Sequence, residues 1–227
     1  LAEVVSPSVS MMRHTPGPNA VVFNAIGICR AYNTNNILKN DGQDVTPKGF
    51  MLISDVLDSG HTSILEHVTF TFLVTGMSLV ARTQLFRHRL SSPTEQSKRA
   101  IEADNLSVVM PKTIEDNFDA NVIFTQTMAQ CYLAYRKLRQ LGIPKEDARY
   151  LMPQGLETAF IISYNARELY ESVFPDRMCR RSQWEVRDAV TQMYNICMGV
   201  MPQVFKKTGP RCLFGKCREK EKCTDNG

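Results

Sequence analysis

Phe86-Arg87-His88-Arg89-Leu90-Ser91-Ser92-Pro93-Thr94-Glu95-Gln96-Ser97-Lys98-Arg99 gathers cations, hydroxyls and one carboxylate more densely than any other part of the chain. Arg87, Arg89 and Arg99 offer planar forks of N–H donors that match phosphate or carboxylate, and Ser91, Ser92, Thr94 and Ser97 add hydroxyl contacts. Pro93 interrupts any helix here, so the stretch is expected to be a loop shaped for an anion. Taken alone, a charge cluster of this kind is more often a solvated basic loop, and its surroundings must decide.

The 227 residues suffice for one large domain or two small ones with a proper core. Hydrophobic residues make up 43% and charged residues 22%, an ordinary globular balance that excludes wholesale disorder. A net charge of +4 suits an anionic small molecule and a nucleic-acid surface alike. No eighteen-residue apolar run and no basic-apolar-small N-terminal order is found, so a cytoplasmic protein without a membrane partner is expected.

Working outward toward the N-terminus, Ser8–His14 reads as a strand closed by the turn-rich Thr15–Asn19, and a helix is expected from Ala20 to about Tyr32 with Asn19 as its cap. Asn33 to Asp44 is a polar loop. Thr46-Pro47 opens a second helix, whose core face is Met51, Leu52, Ile53, Val56 and Leu57 and which ends at Gly60. His61 and His67 then flank Thr62-Ser63-Ile64-Leu65-Glu66, ahead of an alternating strand over Val68–Thr75. His-x5-His alone is most simply a pair of surface histidines; it is not the His-Glu-x-x-His helix of a zinc protease. Met77–Phe86 reads as a short helix delivering Arg82 and Gln84 into the quoted stretch.

Toward the C-terminus a strand is expected at Leu106–Met110 and a long helix from Thr113 to Leu141, ending at Gly142. Pro144 starts another helix that carries Arg149 and stops at Pro153; Glu157–Ser163 is strand-like, and Tyr164-Asn165-Ala166-Arg167 starts a helix. Arg177, Arg180 and Arg181 precede Gln183-Trp184-Glu185-Val186-Arg187, which opens a last helix running to about Val200. An arginine alone on a helix is most often a surface cation, and a lone Trp a core or interface anchor.

The spacing Arg-His-Arg, two residues, Ser, two, Glu, one, Ser, one, Arg resembles the signature of flavin-dependent thymidylate synthases, the ThyX family. The resemblance extends over roughly residues 8 to 210 through four further elements. These are Gly60-His61 with Glu66-His67 before the strand, Ala148-Arg149 before Pro153, Asn165-x-Arg167, and the Gln183-Trp184-Glu185 helix. It implies a single α+β domain over 1–210, mainly antiparallel sheet packed with helices and without a Rossmann domain, followed by a Cys-containing tail over 211–227. The absence of a Gly-x-Gly-x-x-Gly after a strand agrees with that.

The implied activity is an FAD-dependent methyl transfer that converts dUMP to dTMP, with 5,10-methylenetetrahydrofolate as carbon donor and NADPH as reductant, in a cytoplasmic homotetramer whose sites are shared between subunits. By the same resemblance Arg177 and Ser97 are the catalytic residues, Ser97 as a substrate-orienting hydroxyl because no activating base is identifiable. Gln84, Arg87, Glu95, Gln96, Ser97, Arg99, Arg149 and Arg177 are implied for dUMP, and Ser63, Glu66, Arg87, His88, Arg89, Asn165, Arg167, Glu171 and Arg181 for FAD. His61 is implied for the folate, and no metal. Donors near the pyrimidine carbonyls suit charge that develops when C6 accepts hydride.

The chain departs from the family pattern at Thr94, where Asn is usual, and at Ala100, where Tyr is common; Arg181 and Glu171 stand where some members have His and Asn. Of seven cysteines, Cys29, Cys131, Cys179 and Cys197 read as small buried hydrophobes. Cys212, Cys217 and Cys223, at intervals of five and six residues without a nearby His, fit a flexible tail or a local disulfide better than zinc. A nucleic-acid binder using the basic stretch and Arg177–Arg181 is the rival expectation; it lacks aromatic interleaving and any reader motif.

Overall fold

Ser91–Glu95 folds as a strand, not as a loop, and Pro93 sits inside it. Its place in the sheet explains the tolerance. The strands are β1 (Glu3–Val5), β2 (Ser8–His14), β3 (Thr69–Ser78), β4 (Ser91–Glu95), β5 (Ser107–Val109) and β6 (Glu157–Asn165), and four of them form a mainly antiparallel sheet in the order β2-β3-β6-β4. β4 is therefore terminal among the described strands, and a proline without an N–H costs little on an unpaired edge. The structure, a computed structural model, describes residues 3–29, 37, 44–99, 107–214 and 217–220. The expected loop over 33–44 is largely outside these, as are Tyr32, Ala100, Leu106 and Cys223.

Among the described residues, the helices of seven residues or more are α1 (Pro18–Ile28), α2 (Pro47–Asp58), α3 (Leu79–Leu85), α4 (Phe118–Gln140) and α5 (Trp184–Val200). The described residues group into two compact units, one of 3–8, 74–87, 93–99 and 107–161, the other of 9–29, 37, 44–73, 88–92, 162–214 and 217–220.

In the first unit β1 pairs with β5 in parallel, Val4 opposite Val108. Val108, Met128 and Leu156 are buried together, with Leu79, Phe124, Tyr132 and Met152 packed on them. The long helix expected from Thr113 divides: Lys112–Glu115 is a separate turn, and Asn117 caps α4 by accepting from Ala120 N at 3.0 Å. Ser78 caps α3 in the same way, accepting from Ala81 N at 3.1 Å. Gly76 adopts φ 66°, donates to Glu157 Oε1 at 3.0 Å, and comes so close to Ser6 O that an added Cβ would lie 2.1 Å from it.

In the second unit Thr46 caps α2, its hydroxyl accepting from Gly49 N at 3.2 Å, with Pro47 in the first turn as expected. α1 instead begins at Pro18 after Gly17, whose φ of 54° is left-handed, so Asn19 lies inside the helix. Residues Thr62–His67, expected at a strand entrance, form a 3-10 helix, and β3 follows. Phe70, Phe72, Phe174 and Phe205 are fully buried, and Phe205 meets Phe70 and Phe174 edge-on at 5.6 Å. Each such ring contributes ~1.5–3 kcal/mol by leaving water. Asn165 caps the next helical run by accepting from Glu168 N at 2.8 Å. That run comprises Ala166–Glu168, a π-turn at Leu169–Val173 and Phe174–Arg177.

Two expectations are corrected here. Only Cys197 of the four supposed core thiols is fully buried; Cys131 and Cys179 are half-buried, and Cys29 is exposed at the end of α1, where its Sγ donates to Ala25 O. Cys212 and Cys217 are free thiols, so no disulfide joins them. Arg211, at the start of the expected tail, ion-pairs with Asp176 at 2.7 Å.

Candidate functional site

The first unit holds a cavity of about 560 Å³ lined by Glu95, Gln96, Ser97 and Lys98, the run at and after the end of β4, together with Arg82 and Arg149. Gln96 N donates to Ala159 O at 2.9 Å, which ties the run to the chain of β6. Glu95 Oε1 accepts from Thr158 Oγ1 at 2.8 Å and lies 3.0 Å from Arg82 Nε. That Nε is buried and not aligned for a hydrogen bond, so its contact with Glu95 is an ion pair. The guanidinium of Arg82 stacks over Phe86, 5.5 Å from the ring centre.

Lys98 Nζ donates to Gln96 Oε1 at 2.8 Å. Burial holds its pKa below 10.5, with Arg82 adding to the shift while Glu157 and Glu95 oppose it. Arg149 Nε donates to the carbonyl of Glu146 at 3.1 Å, which fixes its side chain on the wall. A second cavity, of about 420 Å³, is bounded by Ser97, Arg99, Pro144, Lys145 and Glu146, where Arg99 pairs with Glu146 at 3.0 Å. Of the residues expected at the nucleotide, the structure thus brings Glu95, Gln96, Ser97 and Arg149 around one cavity, and Arg99 with Ser97 around the next. Gln84 is half-buried on α3, and Arg87 is exposed just beyond it.

In the second unit His61, Ser63, Glu66, Arg89 and Arg181 are exposed. Arg167 lies between two carboxylates, donating through Nη1 to Glu66 and through Nε to Glu171 at 3.1 Å; hydrogen bonding to Glu66 and the charge of Glu171 raise its pKa further. Thr62 also donates to Glu171. Arg181 stands 4.0 Å from Glu219.

His88 is the exception among the expected flavin residues: it is only 7% exposed, with Glu168 at 3.1 Å from Nδ1 and Arg177 Nε donating to Nε2 at 3.0 Å. Burial, then Arg177, lowers its pKa from 6.5 against the opposing pull of Glu168 and Asp176.

Arg82, Lys98 and Glu168 were not among the residues expected at a site. Arg82 had a legible signal, since Leu79, Arg82 and Phe86 fall on one helix face by their spacing. Lys98 occupies an unspecified position of the signature, and Glu168 reads in sequence as an ordinary first-turn carboxylate.

A cavity of this size in an α+β sheet protein, with cations beside Ser, Gln and Glu side chains, has the donors and acceptors to hold a small organic anion. The family model described as thymidylate synthase complementing protein matches residues 10–203. The chain is 37% identical over 215 residues to the flavin-dependent thymidylate synthase of Geobacter sulfurreducens, spanning 93% of this chain and 90% of that protein. It is 32% identical over 228 residues to the protein of the same name from Clostridium tetani, with coverage of 93% and 90%. Among solved structures, the UMP/dUMP methylase PolB from Streptomyces cacaoi bound with 5-Br dUMP shares the fold at a TM-score of 0.76 and 22% identity, over 96% of this chain and 100% of that one. The chain belongs to the flavin-dependent thymidylate synthase family.

Proposed function

We propose that this protein is a flavin-dependent thymidylate synthase that methylates dUMP to dTMP, with FAD as redox cofactor, NADPH as reductant and 5,10-methylenetetrahydrofolate as carbon donor. The observation that carries the reading is the cavity lined by Arg82, Lys98 and Arg149 together with Glu95, Gln96 and Ser97. A nucleoside monophosphate needs cations for its phosphate and a mixed donor and acceptor set for its sugar and base, and this wall supplies both. Arg149 and Lys98 take the phosphate. Glu95, held by Thr158 and Arg82, accepts from the sugar or base, and Ser97 orients the pyrimidine. Arg87, Arg99 and Gln84 complete the nucleotide set; Arg177, which the family resemblance assigns to the nucleotide, would stabilise negative charge that develops on the base.

The exposed residues of the second unit suit a flavin nucleotide chemically. Arg89 and Arg181 provide guanidinium donors for phosphate, while Glu66 and Glu171 provide acceptors for ribose hydroxyls and ring N–H groups. Asn165 uses its carbonyl as a cap and keeps its amide N–H₂, and Ser63 adds a hydroxyl. Bound FAD would supply the redox chemistry that moves reducing equivalents from NADPH to the transferred carbon. Exposed His61 lies on the chain just before Ser63 and is assigned to the folate.

A homotetramer is part of the proposal. Supporting it, Phe118, Ile123 and Leu133 on α4 and Leu141 just beyond are exposed in the single chain, an apolar area that a second copy would cover. A cytoplasmic location is proposed on the same footing; among the described residues no helix is long and apolar enough to cross a membrane.

The test is anaerobic incubation of the purified protein with FAD, NADPH, methylenetetrahydrofolate and dUMP, followed by mass analysis of the nucleotide. Appearance of dTMP that requires all four components is the expected result. Unchanged dUMP from a protein with bound FAD would overturn the assigned reaction, and a strictly monomeric active protein in sedimentation would overturn the shared-site assembly.

A further inference from the structure

The two arginines of Arg87-His88-Arg89 are exposed and the histidine between them turns inward. Its surroundings define its protonation. A guanidinium has donors only, so the 3.0 Å contact between Arg177 Nε and His88 Nε2 makes Nε2 the acceptor. The ring proton must then sit on Nδ1, where Glu168 Oε1 waits at 3.1 Å and Ser172 Oγ at 3.5 Å. One neutral tautomer satisfies all three partners. Tyr164 closes the site edge-on, its ring centre 6.4 Å away.

The backbone is shaped for this contact. Glu168 and Arg177 are nine residues apart on one helical run, which in an unbroken α-helix is two and a half turns and places them on opposite faces. The π-turn at Leu169–Val173 takes more residues per turn and brings Arg177 round to the ring that Glu168 also touches.

We infer that neutral His88 is a positioning residue for Arg177: it anchors the Nε–H of that guanidinium to Glu168 through one ring and leaves the outer Nη fork to the ligand. The inference rests on the reading that Arg177 meets the nucleotide. The charged or titratable groups around the ring are Glu168 and Asp176, which favour its protonation, Arg177, which opposes it, and the buried phenol of Tyr164. Burial and Arg177 prevail, so the ring is neutral at pH 7. In acid a proton on Nε2 would remove the acceptor of Arg177 and set a like charge beside it. The same shift links to folding: the unfolded chain takes its proton near 6.5 and the folded one only below that, so stability also declines as pH falls through that window.

The test compares wild type with His88→Gln, whose amide can accept from Arg177 and donate to Glu168 but does not titrate. The KM for dUMP of the wild type should rise about tenfold or more as pH falls from about 7 to 5, with kcat changing less, the loss of one hydrogen bond to a charged group. His88→Gln should flatten that limb, its KM changing less than about twofold across the range whatever its neutral-pH value, and His88→Ala should raise KM at every pH. Glu168→Gln, which removes a group favouring protonation, should move the limb to lower pH. An unchanged limb in His88→Gln, or an unaltered KM in His88→Ala, overturns the inference. Nitrogen-15 shifts of the wild-type ring provide an arm independent of turnover: protonated Nδ1 and bare Nε2 are expected, and the opposite tautomer overturns the inference even in an active enzyme. A wild type with the expected tautomer that does not bind dUMP would instead refute the functional reading, and with it the link between Arg177 and the nucleotide.

Discussion

Arg82 and Glu95 form an ion pair in the lining of the larger cavity, Nε 3.0 Å from Oε1, with both side chains about three-quarters buried at 28% and 21% exposure. The carboxylate is held from its other side by Thr158. Glu95→Gln keeps an oxygen for the threonine and removes the charge. Its KM for dUMP is expected to rise about tenfold, since a charged acceptor becomes a neutral one. The partly exposed pair adds at most about 1 kcal/mol to stability, so the melting temperature should move by only a few degrees. Calorimetric titration of dUMP alongside a thermal melt separates the two effects.

Lys98 gives the site an alkaline limit. Its folded pKa is lowered, so as pH rises it loses its charge before 10.5, and the phosphate loses a cation. The KM for dUMP should therefore climb in that range, and Lys98→Arg, charged throughout, should abolish the climb. Folding has the opposite sign. Between the lowered value and 10.5 the unfolded chain holds the proton more tightly, so stability rises with pH there, and unfolding cannot account for the lost affinity. Steady-state kinetics from about pH 7 to 10 check this.

Gly76→Ala should destabilise the fold without touching the cavity. The residue has φ 66°, and a Cβ would be driven to 2.1 Å from Ser6 O, a backbone atom that cannot yield as a flexible side chain would. Strain at a left-handed position is about 1–3 kcal/mol before the clash is added. A fall in melting temperature of roughly 10 °C or more, or insoluble expression, is expected by that scale.

Cysteine-to-serine replacements should leave dTMP formation intact, since among the described residues no thiol lines the cavity that holds Glu95 and Arg149. Cys197 differs in stability alone. It is fully buried and its thiol pKa is raised by that burial, so a hydroxyl there costs about 1–3 kcal/mol. Rapid quench of each variant with dUMP, beside its melt, tests both statements; loss of turnover in a folded variant would contradict the thiol-independent mechanism.

What could be read in the sequence was what local chemistry determines. Thr46-Pro47 and Asn165 announce their helices because a cap needs only its own side chain and the next three residues. The signature residues Glu95, Gln96 and Ser97 line one cavity together with Arg149, because the run that follows the strand and the short helix before Pro153 lie side by side there. Illegible features depend on distant partners. β1 exists because β5 lies beside it, and Pro93 is acceptable in a strand only at an edge, which depends on β6. His88 was implied for FAD, and nothing beside it in the chain announced that it is buried. Its burial follows from Glu168 and Arg177, eighty and more positions away, and from a π-turn that no periodicity in Leu169–Val173 announces.

The edge position of β4 has a further consequence. A terminal strand offers a row of unsatisfied backbone groups that invites pairing with another chain, and a ligand-binding strand cannot be covered without closing its site. Pro93 deletes one donor from that row, and the exposed Thr94 beside it keeps the rim polar. Among the described strands, the five residues that lead into the cavity thus also form a sheet margin whose proline and polar rim disfavour pairing with another chain.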